Sequence, residues 1–124
     1  MPARTRTLLA LAATAAALAS GCGEGPTVTQ RTRTFTITLD DYLIRPQRIR
    51  VPKGGPLTIT VHNRGRLGHT FRIRSANHNV MVLTTIPPGG TRRRAFRLRA
   101  GRYTMYCALS NHEELGMHGT LVVG

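Results

Sequence analysis

Apolar and polar residues alternate along most of the chain after residue 34. The apolar members of this pattern are Phe35, Ile37 and Leu39; Leu57, Ile59 and Val61; Phe71 and Ile73; and Phe96 and Leu98. A period of two residues is typical of strands that bury one face. No window has a helical period of any length, so the pattern predicts an all-β protein.

Turn-forming sequences separate the alternating stretches. They contain proline, glycine or asparagine and lie at 52–56, 63–65, 87–90 and 100–101. Short strands divided by such turns are typical of β-sandwiches. We therefore expect about seven to eight strands in residues 34–124, arranged as an antiparallel Greek-key β-sandwich.

The first 21 residues have a different composition. Arg4 and Arg6 precede an uncharged run of leucine, alanine and threonine from Leu8 to Leu18, and small residues follow. This order is typical of an export signal. The apolar run, of about a dozen residues, is shorter than the roughly 20 that a membrane-spanning helix needs. We predict a leader over residues 1–21.

The leader ends in Leu-Ala-Ser-Gly followed by Cys22, which resembles the bacterial lipobox. In lipoproteins with this motif, the first residue of the mature chain is an acylated cysteine. The resemblance implies that Cys22 is lipidated and that the protein is extracytoplasmic, anchored to the bacterial cell membrane. Residues 22–33 are polar and would form a flexible tether. An ordinary signal followed by a coincidental cysteine is the alternative.

The chain is strongly basic. Its formal net charge is +13, and removal of the leader with its two arginines would leave +11. The arginines alternate with apolar residues and do not gather with aromatic ones, and the chain has no tryptophan. A nucleic-acid-binding surface is therefore not expected. Attraction to anionic lipid or to an acidic protein partner accounts for the charge more simply.

The chain has two cysteines, Cys22 and Cys107. If Cys22 carries lipid, Cys107 has no partner within the chain, in a compartment that permits disulfides. An unprotected thiol would oxidise there, and a bound metal ion is one form of protection. A disulfide between the two cysteines is the alternative.

The strongest chemical signal is the spacing Cys107-x4-His112-x4-Met117 near the C-terminal end. It places a thiolate, an imidazole and a thioether on one loop between two strands. His69, which follows a glycine near the middle of the chain, offers a second imidazole. Two histidines and one cysteine in a trigonal set, with a weak axial methionine, are the ligands of a blue-copper electron-transfer site.

Strand parity supports the same assignment. His69 has the parity of Phe71, and Cys107 has the parity of Met105, so both side chains should point into the sandwich. The other histidines share parity with polar residues, lie in a polar loop or point away from a metal that Met117 faces. These three, which are not expected to bind metal, are His62, His78 and His118.

Over residues 34–124 the chain resembles the cupredoxin family, the plastocyanin and azurin group. The resemblance rests on a Gly-His pair, a Pro-Pro-Gly-Gly turn, a Tyr-x2-Tyr-Cys strand and a Gly-Met-x-Gly close. It implies one mononuclear type 1 copper ion with His69, Cys107 and His112 as equatorial ligands and Met117 as the axial ligand. Many members have asparagine after the first histidine; here the hydroxyl of Thr70 would hold the ligand loop instead.

The resemblance implies a one-electron carrier rather than an enzyme. A binuclear copper centre needs a second cysteine in the ligand loop, and multicopper enzymes need His-x-His or His-Cys-His clusters. The chain has neither feature. A copper-binding module for storage or delivery, without a redox role, is the alternative.

In this family the second histidine commonly reaches the surface through an apolar patch, a position that His112 matches. Leu67, Leu109 and Leu115 would form the patch here, and two glutamates follow His112. The surrounding arginines would steer an acidic redox partner towards this surface.

Overall fold

The computed structural model describes residues 25–124. The predicted leader of residues 1–21 and the predicted lipidation site Cys22 lie outside this part of the chain. Within it, no helix is long and apolar enough to cross a membrane. The described residues thus comprise the predicted domain and the last part of the predicted tether.

Residues 25–124 form ten β-strands and no helix. The strands are β1 (Thr27–Thr29), β2 (Thr34–Asp40), β3 (Leu43–Arg45), β4 (Arg48–Val51), β5 (Gly55–Asn63), β6 (His69–Ser75), β7 (His78–Ile86), β8 (Thr91–Leu98), β9 (Gly101–Tyr106) and β10 (His118–Val123). The all-β prediction is confirmed, and residues 34–124 hold nine strands where seven to eight were expected. The difference arises in part because β3 has three residues, too few to show a period of two.

The strands form two sheets. The six-stranded sheet has the order β1-β4-β10-β9-β6-β7, and the four-stranded sheet has the order β3-β2-β5-β8. Three neighbouring pairs are parallel: β1–β4, β4–β10 and β2–β5. The expected β-sandwich is confirmed, but its sheets are mixed rather than antiparallel throughout. The chain crosses to the other sheet after β3 and returns at β5, and such a crossover allows β5 to lie parallel to β2.

Strand β1 lies within the range predicted to be a tether. Thr27–Thr29 pair with the first residues of β4, and the amide of Gln30 donates to the carbonyl of Arg50 at 2.8 Å. Part of residues 22–33 therefore belongs to the edge of the six-stranded sheet. The pairing depends on a strand about 20 residues away, so the local pattern of Thr-Val-Thr does not indicate it.

The alternating apolar residues form the core between the sheets. Ile37 on β2 and Val61 on β5 have no exposed surface (0%), and burial of each such side chain contributes roughly 1.5–3 kcal/mol. On β8 the alternation fades, because Phe96 is only half-buried and the exposed Arg94 lies directly opposite the buried Ile59. Strand β8 is an edge strand, and a charge at a core-facing position discourages pairing with another chain.

Several strands begin or end at one end of the sandwich. Strands β2 and β5 run parallel and stop there, β6 begins there, and β9 and β10 are joined there. The turn after β2 consequently touches both neighbouring loops: the carboxylate of Asp41 accepts from the amide of Leu67 at 3.1 Å, and the ring of Tyr42 lies 5.2 Å from that of His112. This end holds all the predicted metal ligands.

Candidate metal centre

Three predicted ligands from separate parts of the sequence lie together. His69 is the first residue of β6, Cys107 follows β9, and His112 lies in the loop between β9 and β10. The two histidine Nδ1 atoms are 3.2 Å apart. The Sγ of Cys107 lies 3.6 Å from Nδ1 of His112 and 4.0 Å from Nδ1 of His69. Cys107 is a free, buried thiol.

The triangle of donor atoms has the size of a metal site. A point equidistant from three atoms at these separations lies about 2.1 Å from each, close to the bond lengths between a metal ion and imidazole or thiolate. His69 and Cys107 are 0% and 1% exposed, so water has little access to the thiolate. Two imidazoles and one thiolate in a trigonal set fit copper.

Met117, the predicted axial ligand, lies beside this triangle. Its side chain is 0% exposed and belongs to the same core cluster as Cys107. The amide of Cys107 donates to the carbonyl of Met117 at 3.1 Å, and the amide of Met117 donates to the carbonyl of His112 at 3.0 Å. The backbone of Met117 is therefore hydrogen-bonded to the backbone of two other proposed ligands. A methionine thioether in this position can supply a weak axial bond.

The ligand loop, residues 107–117, packs directly on the turn that follows β2. Within the loop, the amide of Leu115 donates to the carbonyl of Asn111 at 3.1 Å. Gly116 has a φ of +123°, and a Cβ placed on it would lie 2.8 Å from the carbonyl oxygen of Tyr42. Only glycine meets both conditions without strain, so this residue lets the loop approach the turn closely.

Thr70 holds the cysteine end of the loop. Its hydroxyl accepts from the amide of Ala108 at 2.8 Å and donates to Sγ of Cys107 at 3.6 Å. This confirms the expectation that threonine replaces the family's asparagine in holding the ligand loop. Hydrogen bonds to a metal-binding sulfur also tune its electron density.

Asp41 is a residue of the site that the sequence analysis missed. Its Oδ1 lies 2.9 Å from Nε2 of His69, and its carboxylate accepts from the amides of Arg66 and Leu67 at 2.9–3.1 Å. These bonds, led by the one from the Arg66 amide, hold the pKa of Asp41 below its ordinary value. Asp41 is 28 positions from His69, and its one sequence signal is its place just after the alternating residues of β2.

Exposed apolar residues lie on the turn and loops at the His112 end of the sandwich. His112 is half-buried, and Tyr42, Leu67 and Leu115 are exposed by 39%, 42% and 52%. Leu109 is partly buried and packs against the core. Of the predicted patch residues, Leu67 and Leu115 are thus exposed and Leu109 is partly buried, and Tyr42 from the other sheet adds a further exposed side chain whose ring contacts that of His112.

An ion pair joins the ligand loop to the six-stranded sheet. Arg74 on β6 donates to both carboxylate oxygens of Glu113, one of them at 3.1 Å. The guanidinium of Arg74 also lies 4.2 Å from the centre of the Tyr106 ring. Glu113 is thus neutralised by a partner, whereas Glu114 is exposed.

The remaining histidines lie outside the ligand cluster found in residues 25–124. His62 bonds to the hydroxyl of Thr91 at 2.8 Å on the outer face of the four-stranded sheet. His78 is exposed and begins β7, so it lies at a strand end rather than within a loop. His118 begins β10 and pairs with Tyr106.

Comparison with known proteins agrees with this geometry. The family model for the cupredoxin-like domain matches residues 7–123. A search of curated protein sequences gave no significant match.

Three solved structures illustrate the likeness of the fold. Dithionite-reduced auracyanin from Roseiflexus castenholzii has a TM-score of 0.68 at 18% identity, covering 77% of this chain and 99% of that one. Rusticyanin from Thiobacillus ferrooxidans has a TM-score of 0.65 at 20% identity, covering 81% and 83%. Auracyanin B has a TM-score of 0.66 at 15% identity, covering 78% and 93%.

The match to the family model spans almost the whole chain, and the two-sheet fold agrees with it. The donor set of two imidazoles, one thiolate and an adjacent thioether is that of a single mononuclear type 1 copper ion. The chain belongs to the cupredoxin-like family.

Proposed function

We propose that this protein is an extracytoplasmic, membrane-anchored one-electron carrier whose copper ion is bound by His69, Cys107, His112 and Met117. The observation that carries the proposal is the compact triangle of Nδ1, Nδ1 and Sγ atoms, already assembled at the end of the sandwich. Bound copper would supply exchange of one electron between Cu(II) and Cu(I).

The surroundings keep the ligands in place. Asp41 bonds to the far side of His69, Thr70 bonds to Cys107, and the turn after β2 supports the ligand loop. Ligands held by packing and hydrogen bonds move little when the charge of the metal changes. Little rearrangement favours fast electron transfer, whereas a delivery module must open its ligands to release copper.

The closure of the site supports a carrier rather than an enzyme. His69, Cys107 and Met117 are all at most 1% exposed. Metal-dependent chemistry on a substrate needs an open coordination position. Among the proposed ligands, only His112 reaches the surface, so electrons would enter and leave through its imidazole.

The surface of His112 suits a partner with an acidic rim. The ring of Tyr42 contacts that of His112, and Leu67 and Leu115 are exposed apolar residues near His69 and His112 in the sequence; we name these three residues the docking patch. Arg64 and Arg66 are exposed in the adjoining loop. Positive charge around an apolar contact raises the association rate with an acidic partner more than the final affinity.

The location rests on the leader and the lipobox-like sequence at Cys22. A lipid at Cys22 would keep the protein at the membrane, with the copper site free to meet partners outside the cytoplasm. Membrane fractionation tests this: the wild-type protein should sediment with membranes, and Cys22→Ser should not. Recovery of unaltered protein in the soluble fraction without detergent would contradict the anchor.

A redox titration tests the proposed function. After addition of Cu(II), the protein should show a reversible midpoint potential and should lose copper slowly to an excess of chelator. An electron carrier meets both conditions. A storage or delivery module would lose copper quickly and need not cycle reversibly, and that result would overturn the proposal.

A further inference from the structure

The carboxylate of Asp41, in the turn after β2, bonds both to the loop between β5 and β6 and to the side of the His69 ring that faces away from Cys107 and His112. It lies 2.9 Å from Nε2 of His69 and accepts from the amides of Arg66 and Leu67. His69 presents its other nitrogen, Nδ1, to Cys107 and His112. An imidazole that binds metal through neutral Nδ1 carries its proton on Nε2, so Nε2 donates to Asp41.

Gly65 provides the space that this contact needs. A Cβ on Gly65 would lie 2.3 Å from Oδ1 of Asp41 and 3.0 Å from Nε2 of His69. Any other residue would therefore separate the carboxylate from the imidazole. The contact between Asp41 and His69 requires that residue 65 has no side chain. Adding a methyl group there therefore tests the contact without changing Asp41.

Asn63 holds the loop of Gly65 in position. Its side chain is 0% exposed. Its amide donates to the carbonyls of Leu67 and Ile86 at 2.8 and 2.9 Å, and its oxygen accepts from the amide of Gly65 at 2.9 Å. The loop whose amides donate to Asp41 is thus held by a buried side chain.

From this geometry we propose that Asp41 is a positioning residue of the copper site, which fixes the His69 imidazole with Nδ1 towards the metal and lowers the reduction potential of the site. The inference deepens the proposed function and rests on it. Uptake of one electron lowers the positive charge of the site by one. A carboxylate bonded to a ligand imidazole stabilises the more positive state, so it opposes reduction.

The central test is Asp41→Asn, which keeps the size of the side chain and an accepting oxygen but removes the charge. We expect that, at the wild-type midpoint potential, the ratio of Cu(I) to Cu(II) rises about tenfold. That ratio corresponds to an upward shift of about 59 mV for a one-electron couple. Spectroelectrochemical titration of the copper-loaded protein measures it.

Asp40→Asn is the matched control. Asp40 is the preceding residue, and its carboxylate pairs with Arg45 rather than with the site. The control should leave the midpoint potential unchanged. Equal midpoint potentials for Asp41→Asn and Asp40→Asn would overturn the inference.

Gly65→Ala tests the geometry without touching the charge. Its methyl group would push the carboxylate away from His69, so the potential should shift in the same direction as in Asp41→Asn. In the double variant the two shifts should not add, because both remove the same contact. Fully additive shifts would mean that Gly65 acts elsewhere.

The copper-free protein supplies a readout that does not depend on redox activity. The NMR shifts of the His69 ring nitrogens should show a single Nε2–H tautomer in the wild-type protein and a mixture in Asp41→Ala, which removes the accepting oxygen as well as the charge. If the wild-type protein bound no copper, the proposed function would fail, and these shifts alone would decide the positioning role of Asp41. Identical tautomer ratios in the two proteins would overturn that role too.

Discussion

The two sheets make different contributions to the copper site. All four proposed ligands belong to strands of the six-stranded sheet or to the loop between two of them. The four-stranded sheet contributes none of them. It supplies the groups behind the ligands instead: Asp41 and Tyr42 after β2, and Asn63 at the end of β5.

This division separates the chemistry of the site from its geometry. The ligand sheet determines which atoms can bind copper. The supporting sheet determines how far those atoms can move, because it touches His69, His112 and Gly116 from the opposite side. Substitutions in the two sheets should therefore have different consequences, and three predictions test this difference.

The largest effect is expected in the ligand sheet. Cys107 is the only thiol in the described part of the chain, so Cys107→Ser should abolish the intense visible band of Cu(II)–thiolate charge transfer. The exposed His78 provides the control, since His78→Ala should keep the band. Absorption spectra after addition of Cu(II) measure both, and a blue Cys107→Ser protein would show that the ligand assignment is wrong.

A smaller effect is expected where the supporting sheet meets the ligand loop. Gly116→Ala places a methyl group against the carbonyl of Tyr42 in a left-handed backbone conformation. We expect the free energy of unfolding to fall by about 1–3 kcal/mol for the backbone strain, and further for the clash. Urea unfolding of the copper-free protein measures this.

Gly89→Ala separates these two causes. Gly89 also has a positive φ, of +76°, but a Cβ there would meet no atom within 4 Å. It should therefore show the backbone strain without the clash. Equal losses of stability in the two variants would mean that contact between the sheets does not support the ligand loop.

The smallest effect on the site itself is expected at the docking patch, where both sheets contribute. Leu115→Asp should slow electron transfer to an acidic partner and leave the visible spectrum unchanged, because Leu115 is 52% exposed. The wild-type rate should also fall as salt rises, since the Debye length is about 10 Å at 0.1 M. Stopped-flow measurement of the bimolecular rate records both effects.

Val80→Asp is the control for the docking patch. Val80 is 37% exposed and lies on β7, the far edge of the six-stranded sheet. Val80→Asp should leave the bimolecular rate of electron transfer close to that of the wild-type protein. If Leu115→Asp and Val80→Asp had the same rate, electrons would leave through another face.

Most of the ligand sheet could be predicted from the sequence. The alternation around Phe71 predicted β6 and the inward direction of His69, and both are confirmed. Parity is a local property of a strand, so it needs no knowledge of the neighbouring strands. The outer-face position of His62 was predictable for the same reason.

The supporting contacts could not be predicted in this way. Tyr42 and His112 are 70 positions apart in the sequence but have their rings in contact. Leu109 has the apolar character of a docking residue, yet it packs against the core instead. Whether an apolar loop residue turns inwards or outwards depends on the space that other elements leave, and hydropathy alone does not reveal it.

The sequence by itself determined the all-β class, the inward direction of the strand residues and the set of four candidate ligands. Three of these ligands lie within eleven consecutive residues, 107–117, so their spacing is visible without a fold. Only the tertiary structure decided the mixed order of the strands and the contact of Asp41 with His69 through the space at Gly65. The physical reason is that the strand order and the Asp41–His69 contact both depend on the pairing of β2 with β5. The packing of the two sheets determines that pairing, and no local sequence pattern does.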